Sequence, residues 1–278
     1  TLSYWRNFYG VLRVEQRRMG ESMIPTRTHF LLHGKTCHGL QPVPERARDQ
    51  PTGYYTPRSG AGLAIRHHPR RTSPTGSAEE MRIGVLGLGV GTLAVYGREG
   101  DCLRFYEINP DVTMIARDLG LFTFLQDCDG DHDIVMGDAR VSLERELRES
   151  GSQKFDVLVI DCFSGDAIPA HLLTKEAFEL YVRHLRAPNS ALAVHLTNEV
   201  LDLVPVVWQL ASALGLDAAH VSAQGEPFGF PSDWMVLTPG SNYLRPVTEV
   251  DNAVWSDVGS RRVHLWTDDY HNLLEVLR

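Results

Sequence analysis

The sequence predicts an α/β fold, a mostly parallel sheet with helices on both faces, preceded by a small β-rich N-terminal domain. Two observations carry this prediction. From Arg82 onward, short apolar runs alternate with helical stretches in repeated units. Before residue 67, strand-like alternation is broken by glycine turns. Repeated strand–helix units of this size call for a parallel sheet, because each parallel neighbour needs a crossover that covers a face.

In the N-terminal part, Phe8-Tyr-Gly-Val-Leu-Arg-Val-Glu alternates, Met19-Gly-Glu-Ser reads as a turn, and His29-Phe-Leu-Leu-His runs into a Gly34-Lys35 turn. Residues 6–43 are therefore expected to form β-hairpins. Residues 54–65 are expected to be a helix packed closely through small residues. Residues 67–80 are basic and rich in loop formers, so the chain divides into 1–75 and 76–278.

In the second part, strands are expected at 82–86, 102–107, 133–136, 155–161 and 191–196. Helices are expected to start near Gly91 and to cover 110–119, 140–147, 174–185 and 201–214. Asn109 opens the helix that begins at Pro110. The Asp233-Trp-Met-Val-Leu run is expected to supply an antiparallel edge.

Composition narrows the function classes. The 278 residues are 43% hydrophobic and 22% charged, enough to bury a substantial core. A net charge of -8 argues against a nucleic-acid partner, which needs a basic face. Cys37, Cys102, Cys128 and Cys162 are scattered without a CxxC pair, and read as reduced thiols in a cytoplasmic setting. No apolar run approaches the roughly 20 residues that span a bilayer, and no signal peptide is visible. The chain begins at Thr1 without methionine, which suggests a piece of something longer. His33, His38 and His195 lack metal-ligand spacing, so no metal is expected.

The candidate site residues stand at strand ends, where open α/β sheets bind ligands. Gly87-Leu-Gly89-Val-Gly91 follows the first strand of the series, where glycines allow a tight turn and close approach to a ligand. Tyr106-Glu107-Ile-Asn109 ends the second, placing an acid where it can take both ribose hydroxyls. Gly137-Asp138-Ala139 ends the third; Asp138 can cap the next helix, accept from an adenine amine, or both. Asp161 ends the fourth, and Asp166 follows it in a Gly/Pro-punctuated loop. On this evidence nicotinamide and S-adenosyl sulfonium cofactors both remain open. The Gly-Asp-Ala motif resembles the adenosylmethionine-dependent methyltransferase fold, a Rossmann-like sheet.

With those motifs assembled, the chain resembles the spermidine synthase-type aminopropyltransferases. It is similar in particular to the soluble half of fused transporter-like/spermidine synthase proteins. The resemblance runs through His33-Gly-Lys-Thr-Cys-His38-Gly-Leu-Gln41, Pro51-Thr-Gly-Tyr54-Tyr55, the Gly87 loop, Tyr106-Glu-Ile-Asn-Pro, Asp161-Cys-Phe-Ser-Gly-Asp-Ala-Ile-Pro, His195-Leu-Thr-Asn-Glu and Trp266-Thr-Asp-Asp-Tyr-His. It implies transfer of the aminopropyl group of decarboxylated S-adenosylmethionine to an amine such as putrescine or a longer polyamine, with release of methylthioadenosine. Asp161 matches the catalytic aspartate. Gln41 would contact the ribose or thioether region, Glu107 the ribose, Asp138 with Ala139 the adenine, and Tyr54 would line the amine channel. In the fused relatives a membrane-spanning part precedes a segment like Tyr4-Trp-Arg-Asn-Phe-Tyr-Gly, which implies the cytosolic domain of an inner-membrane protein. A homodimer is a further expectation of the resemblance.

Two departures bear on this expectation. Val90 stands where the synthases carry an acid that holds the aminopropyl ammonium. Ser164 replaces a second aspartate, and Asp166 is the candidate to restore that charge. Glu199 is also assigned to the amine, whereas Asp202, Asp268 and Asp269 read by default as solvated or capping acids. Tyr55 and Trp234 read as core aromatics, and His195 as a buried or loop-facing residue. An adenosylmethionine-dependent methyltransferase and a non-catalytic polyamine-sensing domain are the alternative functions.

Overall fold

The computed structural model describes residues 1–20, 26–72, 79–162, 169–186, 188–240, 243, 253–254 and 263–278. Two sheets organise it. The first is a four-stranded antiparallel meander of β1 (Ser3–Asn7), β2 (Gly10–Met19), β3 (Thr26–His33) and β4 (Thr36–Pro42). It realises the expected hairpins and begins earlier than their alternation suggested.

Short helices α1 (Glu45–Arg48), α2 (Gly60–Arg66) and α3 (Pro69–Thr72) connect it to the second sheet. The expected helix at 54–65 is shorter at its start, because Ser59 caps it with its hydroxyl accepting from the Gly62 N–H at 3.1 Å. This helix packs on the second sheet. A Cβ on Gly60 would lie 2.3 Å from Trp234 Cβ, so only glycine permits that approach.

The second sheet comprises β5 (Arg82–Leu86), β6 (Cys102–Glu107), β7 (Asp131–Met136), β8 (Val157–Ile160), β9 (Ala191–His195), β10 (Asp217–Ala223), β11 (Ser232–Thr238) and β12 (Ala253–Val254). Its order is β12-β10-β11-β9-β8-β5-β6-β7. Strands β9-β8-β5-β6-β7 are parallel, and β11, β10 and β12 add antiparallel pairs. The expected Asp233 strand is β11; β10 was not foreseen.

Strand β8 shows why the apolar runs are unbroken. Val157 and Val159 join the core on one face, with α2 and with α4 (Pro110–Arg117). Leu158 and Ile160 join the other, with α5 (Ala139–Glu149), α6 (Lys175–Arg183) and α7 (Val204–Ala213). Side chains alternate along a strand, so burial of both faces demands apolar residues at every position. The helix expected near Gly91 is a single 3-10 turn, Thr92–Tyr96, ended by Gly97.

The chain runs outward from β5 to β6 and β7, then returns to β8 on the opposite side of β5. Connections leaving β5 and β8 therefore diverge, and a crevice opens beyond their carboxyl ends. Among the described residues no helix is long and apolar enough to cross a membrane, and no group of three or more His, Cys, Asp or Glu side chains is arranged to hold a metal ion. The four cysteines are free thiols.

Candidate active site

Two cavities meet at the end of β8, and Asp161 lines both. The first, of about 250 Å³, is walled by Gly87, Gly89, Glu107, Asp138 and Ala139, with Tyr9, His33 and His38 reaching over from the N-terminal sheet. The second, of about 430 Å³, is walled by Tyr54, Tyr55, His195, Thr197, Glu199 and Phe230, with Lys35 and His38 from the N-terminal sheet.

The first cavity is shaped mainly by backbone. Gly87 has φ +97°, and a Cβ there would sit 2.2 Å from the Asp161 carbonyl oxygen, so the loop can lie against β8 only as glycine. Glu107 is buried, and its two oxygens accept from the Leu88 N–H (3.0 Å) and the Asn109 N–H (2.8 Å). Burial pushes its carboxyl above the usual carboxylate range, and those backbone donors oppose the shift. The Ile108 N–H is a third backbone donor to this carboxylate, which lines the first cavity. Asp138 caps α5, with Oδ1 accepting from the Val141 N–H at 3.0 Å, while Oδ2 lies 3.0 Å from His171 Nε2.

Asp161 is held from two sides. The Tyr55 hydroxyl donates to Oδ2, and His195 Nδ1 lies 2.6 Å from Oδ1. Burial and the adjoining carboxylate push the Tyr55 phenol well up, so it stays protonated and able to donate. His195 Nε2 lies 2.7 Å from Thr197 Oγ1, which also accepts the Asp233 N–H at 2.9 Å. The His195 ring stacks on Trp234 at 4.6 Å and 21°, and Tyr54 lies 4.9 Å away on the cavity side. Burial raises the Tyr54 hydroxyl to about 12, so it too is neutral.

The structure brings most of the candidate residues together. Gly87, Gly89, Glu107, Asp138, Ala139 and Asp161 line the first cavity; Tyr54, Gly89, Asp161 and Glu199 line the second. Gln41 is placed elsewhere. Its amide accepts the Thr123 N–H at 2.8 Å and donates to the Arg48 carbonyl at 2.8 Å, so it docks β4 onto its surroundings. Gly91, at φ +81°, packs against Leu125 and lines neither cavity. Asp166, with Ser164, lies outside the described residues. Val90 is buried, and its methyls fill the space a Gly39 side chain would need. Asp268 forms a fork with Arg140 (2.6 and 2.5 Å), which holds its carboxyl down at about 2 and ties the tail to α5. Asp202 accepts the Val204 N–H at the start of α7.

Sequence reasoning missed His38, His195 and Thr197, and left Tyr55 in the core. The signal for His195 was available in the register. Ile160 pairs with Val194 in parallel, so the next residues, Asp161 and His195, end neighbouring strands side by side.

No protein-family model matches the sequence, and no relative is found among curated proteins. Solved structures do match. A probable spermidine synthase from Corynebacterium glutamicum superposes with a TM-score of 0.61 at 16% identity, covering 89% of this chain and 85% of that one. A spermidine synthase from Thermotoga maritima gives 0.47 at 13% identity, over 93% and 84%. An O-methyltransferase from Bacillus cereus gives 0.44 at 16% identity, over 64% and 80%. At such identities the likeness is one of fold and rests on the first structure: across nearly its whole length, this chain has the fold of the Corynebacterium glutamicum probable spermidine synthase.

Proposed function

We propose that the chain is an aminopropyltransferase that moves the aminopropyl group of decarboxylated S-adenosylmethionine to a diamine or polyamine. One observation carries this reading: among the residues lining both cavities, which differ in character, Asp161 is the carboxylate. The first suits an adenosyl group, with a glycine turn for close approach and Glu107 for ribose hydroxyls. The second suits an amine, with neutral aromatic walls and carboxylates at Asp161 and Glu199. A carboxylate between them faces both a sulfonium and the nitrogen that attacks beside it.

The chemistry asks for that placement. A free alkylamine has a pKa of about 10, so it arrives protonated and must lose a proton to become a nucleophile. The nitrogen then attacks the methylene next to sulfur, the C–S bond breaks, and methylthioadenosine leaves. Two sites meeting at one carboxylate align the nucleophile with the sulfonium, and such alignment supplies much of the rate in a displacement.

The test is the purified protein with decarboxylated cofactor and a panel of amines, products resolved by mass. Turnover releasing methylthioadenosine is expected, and Asp161→Asn should reduce it by about 10²–10⁴-fold. Absence of turnover in the wild type, with binding intact, would point to the polyamine-sensing alternative.

Val90 supports a second reading, a methyltransferase using ordinary S-adenosylmethionine. The Gly87 loop offers no acid to an aminopropyl ammonium, because Val90 is turned into the core. Titration with both cofactors separates the two, since a preference for the carboxylated form would favour methyl transfer.

A further inference from the structure

Asp161 faces conflicting demands if it does everything the amine transfer requires. A carboxylate that keeps the proton loses the charge that attracts the sulfonium. Its bonding suggests a division of labour. Both oxygens already receive donors, Tyr55 on one side and His195 Nδ1 on the other. Because the acceptor is a carboxylate, His195 carries its hydrogen on Nδ1. Nε2 is then the acceptor, and it faces Thr197 Oγ1 at 2.7 Å. Thr197 Oγ1 accepts the Asp233 N–H with one lone pair, so its own hydrogen is available to Nε2 and its second lone pair remains. Thr197 lines the second cavity beside Tyr54 and Glu199.

Resting on the aminopropyl-transfer reading, we propose that Thr197, His195 and Asp161 form a proton path in which His195, not Asp161, stores the proton released by the amine. Thr197 Oγ accepts a hydrogen from the amine nitrogen and passes its own to His195 Nε2. The nitrogen lone pair forms the new C–N bond, and the C–S electron pair leaves with sulfur. The product is the secondary amine in its protonated form, methylthioadenosine, and an imidazolium bonded through Nδ1–H to the Asp161 carboxylate, the imidazolium holding the one proton that the incoming ammonium gave up. The imidazolium then returns its proton to water.

This arrangement is a hydroxyl–imidazole–carboxylate constellation, recognised by geometry and not by sequence order. A general base works best when its pKa lies near the working pH, and imidazoles as a class lie closer to neutrality than carboxylates. Several groups bear on the imidazole's charge. Asp161 faces it from the end of β8, and Tyr54 and Trp234 cover its faces. Asp233 on β11 holds Thr197 while pairing with His220 at 3.3 Å, and Lys35, His38 and Glu199 share the cavity wall.

The test compares Thr197→Val, Thr197→Ser and His195→Gln with the wild type, using decarboxylated cofactor and putrescine from pH 6 to 10. Folding of each variant is checked by methylthioadenosine binding. Thr197→Val and His195→Gln should lower kcat by about 10²-fold, leave the cofactor KM within about twofold, and flatten the acidic limb of the kcat profile. Thr197→Ser, which restores the hydroxyl, should recover to within about fivefold of wild type. A Thr197→Val enzyme with unchanged kcat and pH profile overturns the proton path while leaving the transfer reading intact. A wild type that binds methylthioadenosine and transfers nothing overturns both.

Discussion

The two cavities are built by opposite means. The first also gathers distant segments, but its distinctive features are each set within a short stretch: a glycine turn, a strand-end acid bonded to backbone donors, and a helix cap. The second is assembled from distant segments, with residues 35–38, 54–55, 161, 195–199 and 230–231 meeting only in the folded chain. Its polar groups are held by other side chains, as Asp161 is by Tyr55 and His195. A site set by backbone geometry tolerates few changes at a few positions. A site set by side-chain networks degrades by degrees.

The largest effect should fall on the backbone-built cavity. Gly87→Ala forces a Cβ to within 2.2 Å of the Asp161 carbonyl at φ +97°, so the loop or β8 must shift. The expected cost is at least about 3 kcal/mol, with loss of adenosyl binding, read by thermal unfolding and methylthioadenosine titration. A variant of wild-type stability would break the contrast, since the loop would then be adaptable.

Glu107→Gln is expected to cost about 2 kcal/mol in stability or ligand binding. The amide can accept at only one of two positions that now receive N–H donors, and its NH₂ would face the other. Unfolding curves with and without methylthioadenosine would sharpen the comparison by showing whether the loss lies in the fold or in the ligand.

The smallest effect concerns the second cavity and pH. Burial, reinforced by His33, pushes His38 down to about 4, with Asp161 opposing. The folded state therefore favours the neutral ring. Its stabilisation is fully present above the ordinary histidine pKa of about 6.5 and is lost as pH falls from there toward 4. Because the ring borders a cavity, the amount is on the order of 1–2 kcal/mol. Chemical denaturation at pH 7 and pH 4 measures it, and His38→Asn should remove that share of the difference. Equal pH slopes in the two proteins would assign the acid sensitivity elsewhere.

What was legible in the sequence follows the same division. Unbroken apolar runs at β5, β8 and β9 announce burial on both faces, and Gly87, Glu107, Asp138 and Asp161 are marked by standing at or just past the ends of β5, β6, β7 and β8. Asn109 announces a helix start through short-range capping, whereas Ser59, expected inside its helix, and Thr174, expected as the first residue of its own, are the caps. The rest depends on pairing between distant segments. The motif around Gln41 looked like a ligand contact, yet its amide is used by Thr123 and Arg48, a partnership set by how the N-terminal sheet docks. Tyr55 is buried like any core aromatic, and only the position of Asp161 turns its hydroxyl into a site group. That Val90 stands in place of an acid is an expectation of the resemblance, and its burial against Gly39 follows from sheet placement alone.

That docking has a consequence for how the protein becomes competent. The meander touches the larger sheet through Asn7 to Asn109 and Asp111, His29 to the Leu121 carbonyl, and Gln41 to Thr123, with Gly39 resting on Val90. Neither cavity has a complete wall until those contacts close, because His38 belongs to the meander and lines both. Ligand affinity is thus thermodynamically linked to assembly of the two sheets. Whatever loosens the seam weakens binding by the same free energy with which bound ligand tightens it, so the fit of the meander bears on the affinity of a site that most of its described residues never touch.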